Sequence, residues 1–189
     1  MQLSDVIALP HADITGKRGI IFDLDGTIAD SMHFWQDMSL FAGLDQEQCR
    51  QKLIYLYSEA IQPKPYALEL MQKLKNAAIP FCILSATPTE EYAPFIEHFG
   101  IQKLVNFYAD CADFGRDKYN AEPYIHVAKR LGLDPNEVIV IEDLPSSARA
   151  ALSGGLFTVG IYDNASRAYA DEMKNICNDY IYDLGSIMK

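Results

Sequence analysis

Apolar residues along the chain gather in five short, almost unbroken runs: Gly19–Phe22, Phe81–Leu84, Leu104–Tyr108, Val138–Ile141 and Phe157–Ile161. Each is rich in Ile, Val, Leu or Phe and shows little alternation, the pattern of strands buried on both faces. Between them lie stretches with helical spacing. "ALELMQKLKNAA" places Leu68, Met71, Leu74 and Ala78 on one stripe ahead of the second run. "EEYAPFIEHFG" precedes the third run, "YIHVAKRLG" the fourth and "SSARAALSGG" the fifth, with Gly100, Gly132 and Gly154-Gly155 where helices should stop. Strand and helix in alternation predict a parallel α/β sheet with right-handed crossovers.

One segment, from about Ser31 to Gln62, breaks the rhythm. It predicts two helices with no strand between them. The first carries Met32, Trp35, Met38 and Ala42 on one stripe and ends near Gly43. The second starts at Asp45 as N-cap with Gln48 three residues on, a capping-box pattern, and runs through Cys49, Leu53, Leu56 and Ala60. "QPKP" then marks a hinge back to the sheet. The expected fold is thus α/β: a three-layer, Rossmann-like parallel sheet of about five strands with a small helical-hairpin cap inserted after strand 1. Residues 1–30 and 63–189 are expected to form the core domain and residues 31–62 the cap.

A length of 189 residues suits one domain with a small insert, and 49% hydrophobic residues supply an ample core. The net charge of −10 argues against a nucleic-acid or membrane-surface partner, either of which would want a basic patch. It does not exclude an anionic substrate, because a local cation can reverse the sign of a site. Cys49, Cys82, Cys111 and Cys177 are scattered without a Cys-x-x-Cys pair, which fits reduced thiols in the cytoplasm better than a disulfide or zinc framework. The first residues lack a secretory pattern, and no apolar run reaches the roughly 18 residues of a membrane span.

Candidate chemistry stands at the ends of the runs. The first ends in Asp23, with Asp25 two residues on; the second ends in Ser85; the fourth ends in Glu142-Asp143. Open parallel sheets bind ligands outside the carboxyl ends of their strands. A single Asp there is ordinarily a turn or capping residue, but several oxygen groups on one edge ask for more. Two carboxylates about 4 Å apart repel by roughly 4 kcal/mol at an effective dielectric near 20. Four around one point need a cation, and oxygen ligands without His or Cys favour Mg²⁺. Thr87-Pro88-Thr89-Glu90 reads as a helix start with Thr87 as N-cap, and its amides beside Ser85 would suit a phosphate.

"DLDGT" after an apolar strand, then "ILSA", then a lysine, then "IED", resemble the four motifs of the haloacid dehalogenase-like hydrolase superfamily. The branch with β-phosphoglucomutase-like and phosphoglycolate phosphatase-like members looks nearest, over about Arg18 to Leu184. The resemblance implies that Asp23 is the nucleophile that forms an aspartyl-phosphate. It makes Asp25 the general acid/base, with its backbone carbonyl on Mg²⁺. Gly26 and Thr27 match the turn that meets the phosphate, and Ser85 with the backbone of Ala86 the phosphoryl-binding position. Asp143 matches a direct metal ligand and Glu142 one acting through water. The family's "GKPxPDxYxxAxxxLG" is matched here by "GRDKYNAEPYIHVAKRLG". Counting back from Arg130-Leu131-Gly132 sets Lys118 on the motif lysine. Tyr119 then replaces Pro and Glu122 replaces Asp, with Arg116 as the alternative cation.

The implied function is a Mg²⁺-dependent phosphatase acting on a small phosphorylated metabolite. A sugar-phosphate phosphomutase is the runner-up: it must turn a bisphosphate while excluding water, for which the family's mutases use a larger cap. A non-catalytic binding module would have shown the loss of Asp23 or Asp25. In the cap, His33, Trp35, Gln36, Arg50, Lys52, Tyr55 and Tyr57 are candidates for substrate choice. Each also has a plainer role: Trp35 as a core residue of the hairpin, Arg50 and Lys52 as solvated charges.

Overall fold

The computed structural model describes every residue from Met1 to Lys189. Six parallel strands form one sheet in the order β3-β2-β1-β4-β5-β6. They are β1 (Gly19–Phe22), β2 (Phe81–Ser85), β3 (Phe107–Asp110), β4 (Val138–Glu142), β5 (Phe157–Ile161) and β6 (Asp179–Ile181). The chain builds outward from β1 to β3, then returns to the other side of β1 with β4. The gap between the carboxyl ends of β1 and β4 is therefore the topological switch point, where ligands bind in open α/β sheets.

The α-helices in chain order are α1 (Met32–Gln36), α2 (Gln46–Tyr55), α3 (Ala67–Asn76), α4 (Thr89–His98), α5 (Glu122–Arg130), α6 (Pro145–Ser153) and α7 (Ala170–Ile176). Alternation along the strands sorts side chains onto two faces. Ile20, Phe22, Phe81, Ile83, Ile139 and Ile141 enter a core of 31 buried residues shared with α3 and α4. Ile21, Cys82, Leu84, Val138 and Val140 enter a smaller core of 13, closed by α5 and α6. The larger core is completed by the N-terminal arm, which buries Leu3, Val6, Ile7 and Ile14, and by Leu184 and Ile187 near the C-terminus. All four residues of β1 are buried; at about 1.5–3 kcal/mol for each large apolar side chain, this strand holds the aspartates' backbone rigidly.

Several elements differ from the sequence expectation. The third strand, expected over Leu104–Tyr108, runs Phe107–Asp110. Leu104 and Val105 instead close a turn, both amides donating to the Ile101 carbonyl, and Asn106 Oδ1 accepts from the Phe81 amide at 2.9 Å. The sixth strand carries no apolar run; it begins at Asp179, whose carboxylate accepts from the His11 and Ala12 amides at 2.9 and 3.1 Å. In α3 the expected Met71 and Leu74 are buried, joined by Ala67 and Leu70, with Leu68 partly buried against the same core and Ala78 exposed beyond the helix end.

Between β1 and α3 the chain is helical, as expected, but not as two clean helices. The first stops at Gln36, because the Asp37 side chain accepts from the Ser39 amide and hydroxyl at 3.1 and 2.5 Å and starts a separate 3-10 turn over Met38–Phe41. Its expected stripe lies largely outside any core, with Met38 73% exposed. The α2 capping box forms as read: the Gln48 amide donates to Asp45 and the Asp45 amide to the Gln48 side chain. After Tyr55 the helix widens into one π turn, Leu56–Ala60, which buries Leu56 and Tyr57. The segment rests on α4. The Tyr57 ring meets Tyr92 and Phe95 edge-on at 6.5 and 6.4 Å, and Arg50 pairs with Glu90 at 3.0 Å.

Candidate active site

Asp23 follows β1 directly and its amide donates to the Ile141 carbonyl of β4 at 3.0 Å, so the sheet ladder itself sets its position. Glu142 ends β4 and Asp143 follows it. The three carboxylates each offer an oxygen within 4.8 Å of the others, and all three residues are buried. Lys118 reaches between them from the loop before α5. Its Nζ donates to Asp23 and, at 2.6 Å, pairs with Glu142. The lysine is itself buried, so a fixed positive charge stands inside the cluster.

Each member solves its burial differently. Glu142 is fully engaged: Oε1 faces Lys118 and accepts from the Tyr124 hydroxyl at 3.0 Å, while Oε2 accepts from the Asp143 amide at 3.2 Å. Neither oxygen of Asp143 has a hydrogen-bond partner. Burial, the Glu142 charge and Asp25 push the Asp23 carboxyl up to about 8 against the pull of Lys118. Burial, then the charges of Asp23 and Glu142, lift Asp143 well above the carboxylate range. Burial works to lower Lys118, but Asp23 and Glu142 override it and hold the ammonium protonated.

Three ionised carboxylates against one lysine would leave an excess of negative charge in a buried site, which is why two of them hold their protons there, and the Asp143 oxygens have no hydrogen-bond partner. That donor set, all oxygen, fits a hard divalent cation. Gly26 makes the arrangement possible. Its φ is +87°, and a Cβ there would run into the Asp143 carboxylate and stand 2.9 Å from Met32 Cγ. Thr27 is fully buried beside it with an unpartnered hydroxyl.

Asp25, two residues from Asp23, sits in a different environment. Its Oδ1 accepts from Ser31 Oγ at 2.6 Å, the Tyr57 hydroxyl at 2.5 Å and the Trp35 indole N–H at 3.3 Å. Its Oδ2 accepts from Thr87 Oγ1 at 2.9 Å and faces Ser85 Oγ at 3.4 Å. Burial and the charge of Asp25 push the Tyr57 phenol well above its usual value, keeping it a donor.

Asp23, Asp25, Ser85, Lys118, Glu142 and Asp143 are thus gathered at one edge. Of the cap candidates, Trp35 and Tyr57 reach Asp25, whereas His33 faces Asp30, Gln36 donates to the Ala165 carbonyl, Arg50 pairs with Glu90 and Lys52 lies over the exposed Tyr55 ring. Two further expectations differ. Thr87 does not cap a helix: its hydroxyl goes to Asp25 and its amide to Ser85 Oγ at 3.0 Å. The α4 helix begins at Thr89, whose amide donates to Asp110 Oδ2 at 2.6 Å, so a carboxylate of β3 already occupies the helix start expected to receive a phosphate. Arg116, the alternative to Lys118, is exposed and paired with Glu122 at 2.5 Å. Sequence reasoning does not place Tyr57, Ser31, Trp35 or Tyr124 beside these carboxylates. Ser31 and Trp35 lie close to Asp25 along the chain, but nothing in the pattern could aim Tyr57, 32 residues away, at it.

A cavity of about 260 Å³ opens onto these groups. Asp23, Asp25, Lys118, Glu142 and Asp143 line it, together with Met32, Ala86, Leu144 and Tyr119 among others. It is large enough for a phosphoryl group and a modest leaving group.

The haloacid dehalogenase-like hydrolase family model matches residues 37–155. The chain belongs to the haloacid dehalogenase-like hydrolase family. The match begins after Asp23 and Asp25 and does not cover those two residues. Validoxylamine A 7'-phosphate phosphatase of Streptomyces hygroscopicus is 28% identical over 108 residues, covering 56% of this chain and 51% of that enzyme. A phosphorylated carbohydrates phosphatase of Thermotoga maritima is 29% identical over 105 residues, covering 53% of this chain and 47% of its own. The matched part of this chain therefore spans about half the length of these two relatives. The solved structure of CbbY from Rhodobacter sphaeroides in complex with phosphate superposes with a TM-score of 0.71 at 18% identity, covering 87% of this chain and 93% of that one, a likeness of fold. No helix of this chain is long and apolar enough to cross a membrane.

Proposed function

We propose that this hydrolase is a Mg²⁺-dependent phosphatase that cleaves a small phosphorylated metabolite through an aspartyl-phosphate on Asp23. The observation that carries the reading is the buried Asp23–Lys118–Glu142–Asp143 cluster, with unpartnered Asp143 oxygens, at the β1/β4 switch point. Asp23 and Asp143 would hold the cation, with Glu142 beside them and the Asp25 carbonyl completing the set. When bound, the ion supplies positive charge to the phosphoryl oxygens.

The chain's own groups supply the rest. Phosphoryl transfer is mostly positioning and charge neutralisation. Asp23 attacks phosphorus in line with the leaving oxygen. Lys118, fixed against Asp23, neutralises charge on the phosphoryl group, and Ser85 with the Ala86 backbone orients it, in the company of Gly26 and Thr27. Asp25 gives a proton to the departing oxygen and afterwards takes one from the water that opens the acyl-phosphate. The short helical segment after β1, read as a cap over residues 31–62, favours hydrolysis over a mutase's need to enclose a turning bisphosphate.

A screen of phosphorylated metabolites with Mg²⁺ tests the reading. Turnover of at least one phosphomonoester, lost on adding EDTA, is the expected result. Full turnover in chelator would remove the cation from the account, and no hydrolysis of any phosphomonoester would remove the phosphatase.

A further inference from the structure

The Asp25 carboxylate is surrounded by five donors drawn from two parts of the chain. Ser85 and Thr87 come from the end of β2 and the loop after it; Ser31, Trp35 and Tyr57 come from the helical segment between β1 and α3. Tyr57 is the most constrained of them. It has no solvent exposure, and its ring is wedged edge-on against Tyr92 and Phe95, so the direction of its hydroxyl is set by packing on α4. It also sits in the single π turn, Leu56–Ala60, a departure from α-helix that changes which side chains face inward. The preceding Tyr55 is 56% exposed. Trp35 is the only tryptophan in the chain, and an indole N–H can donate but never accept.

We propose that Tyr57 and Trp35 are positioning residues that fix the rotamer of the Asp25 carboxylate, so that docking of the helical segment onto α4 and alignment of the proton-transfer group are one event. This rests on the phosphatase reading. Three donors anchor Oδ1, two of them unable to turn away. Oδ2 faces only hydroxyls, from Thr87 and Ser85, which can rotate to donate or accept. It is therefore the oxygen through which the proton passes: the Oδ2–H bond breaks, the proton joins the leaving oxygen, and the P–O bonding pair stays on that oxygen.

The test exploits leaving groups. An alkyl phosphate needs a proton on its departing oxygen, whereas p-nitrophenolate leaves without one. With Mg²⁺ present, Tyr57→Phe should lower kcat/KM for an alkyl phosphate by about 10- to 100-fold, as expected for losing a hydrogen bond to a charged group. For p-nitrophenyl phosphate the loss should stay within about threefold, because no proton transfer from Asp25 is needed there. Trp35→Phe, at a half-exposed position that cannot threaten the core, should show the same contrast at smaller size. Equal losses on both substrates, or none, would overturn the proposal. A second reading needs no turnover: the indole N–H of Trp35 gives one resonance in a nitrogen–proton NMR spectrum. Tyr57→Phe should shift it and speed its exchange with water as the carboxylate loosens; an unchanged resonance would overturn the proposal. A wild-type chain inactive on both phosphates would instead fail the phosphatase reading, and the resonance would then decide the positioning alone.

Discussion

Asp23 and Asp25 are two residues apart, yet the surroundings of each handle a carboxylate in opposite ways. Around Asp23 the chain packs further carboxylates and a single buried lysine, and leaves Asp143 without any donor. Around Asp25 it places neutral hydroxyls and an indole, five donors for one group. The first arrangement is poor at holding negative charge by itself and good at receiving a cation and a phosphoryl group. The second holds a carboxylate in a set direction with no cationic side chain among its donors. One motif therefore supplies a group suited to attack and a group suited to moving protons, and the difference comes from neighbours rather than residue type.

The largest effect expected from disturbing this contrast is at the lysine. Lys118→Ala removes the one fixed cation on the Asp23 side and should lower kcat/KM by about 10²- to 10³-fold, the scale of losing a preorganised charge contact in a dry site. Arg116→Ala breaks only an exposed pair with Glu122 and should change kcat/KM by no more than about threefold. Steady-state kinetics on both variants checks the ranking, and its reversal would assign the role to Arg116.

A smaller effect concerns stability and separates the two sides without any substrate. Asp23 is raised to about 8 in the fold, from roughly 3.9 in an unfolded chain, and Asp143 is raised as well. Between those values the native state binds more protons than the unfolded state, so the stability of the metal-free protein should fall as pH rises from about 4 to 8. The slope is at most about 1.4 kcal/mol per pH unit for each such group. Saturating Mg²⁺ takes the place of the protons and should flatten it. Denaturant titrations across that window, in EDTA and in Mg²⁺, measure both slopes. A metal-free stability that rises with pH would contradict the charge crowding around Asp23.

The same contrast explains what the sequence makes legible. The strand cores are short runs of Ile, Val and Leu, and a parallel sheet brings the residues at their carboxyl ends to one edge. Asp23, Ser85, Glu142 and Asp143 can thus be placed together from the order of residues along the chain. Lys118 is reached by counting back from "RLG", since the helix α5 keeps a fixed spacing from that glycine to the loop. The surroundings of Asp25 are hidden because they depend on irregular geometry. A break at Asp37 cuts the first helix, and a π turn aims Tyr57 inward. Neither has a periodic trace. Strand β6 escapes notice for a similar reason: three residues headed by an aspartate that ties down the N-terminal arm do not form an apolar run. Thr87 reads as a helix cap in sequence, yet Asp110, distant along the chain, takes the capping role and leaves Thr87 for Asp25.

The central claim is that Asp23 becomes phosphorylated while Asp25 moves protons. The most direct measurement uses Asp25→Asn, which retains the nucleophile but lacks the base that activates water. p-Nitrophenyl phosphate, whose leaving group needs no proton, is mixed with this variant and Mg²⁺, quenched in acid and analysed by intact-protein and peptide mass spectrometry. The account predicts one phosphoryl group accumulating on the peptide that contains Asp23, and none when Asp23→Asn is added to the variant. Release of p-nitrophenol by Asp23→Asn alone at a rate near that of the wild type, or a phosphoryl group found on any other residue, would contradict it.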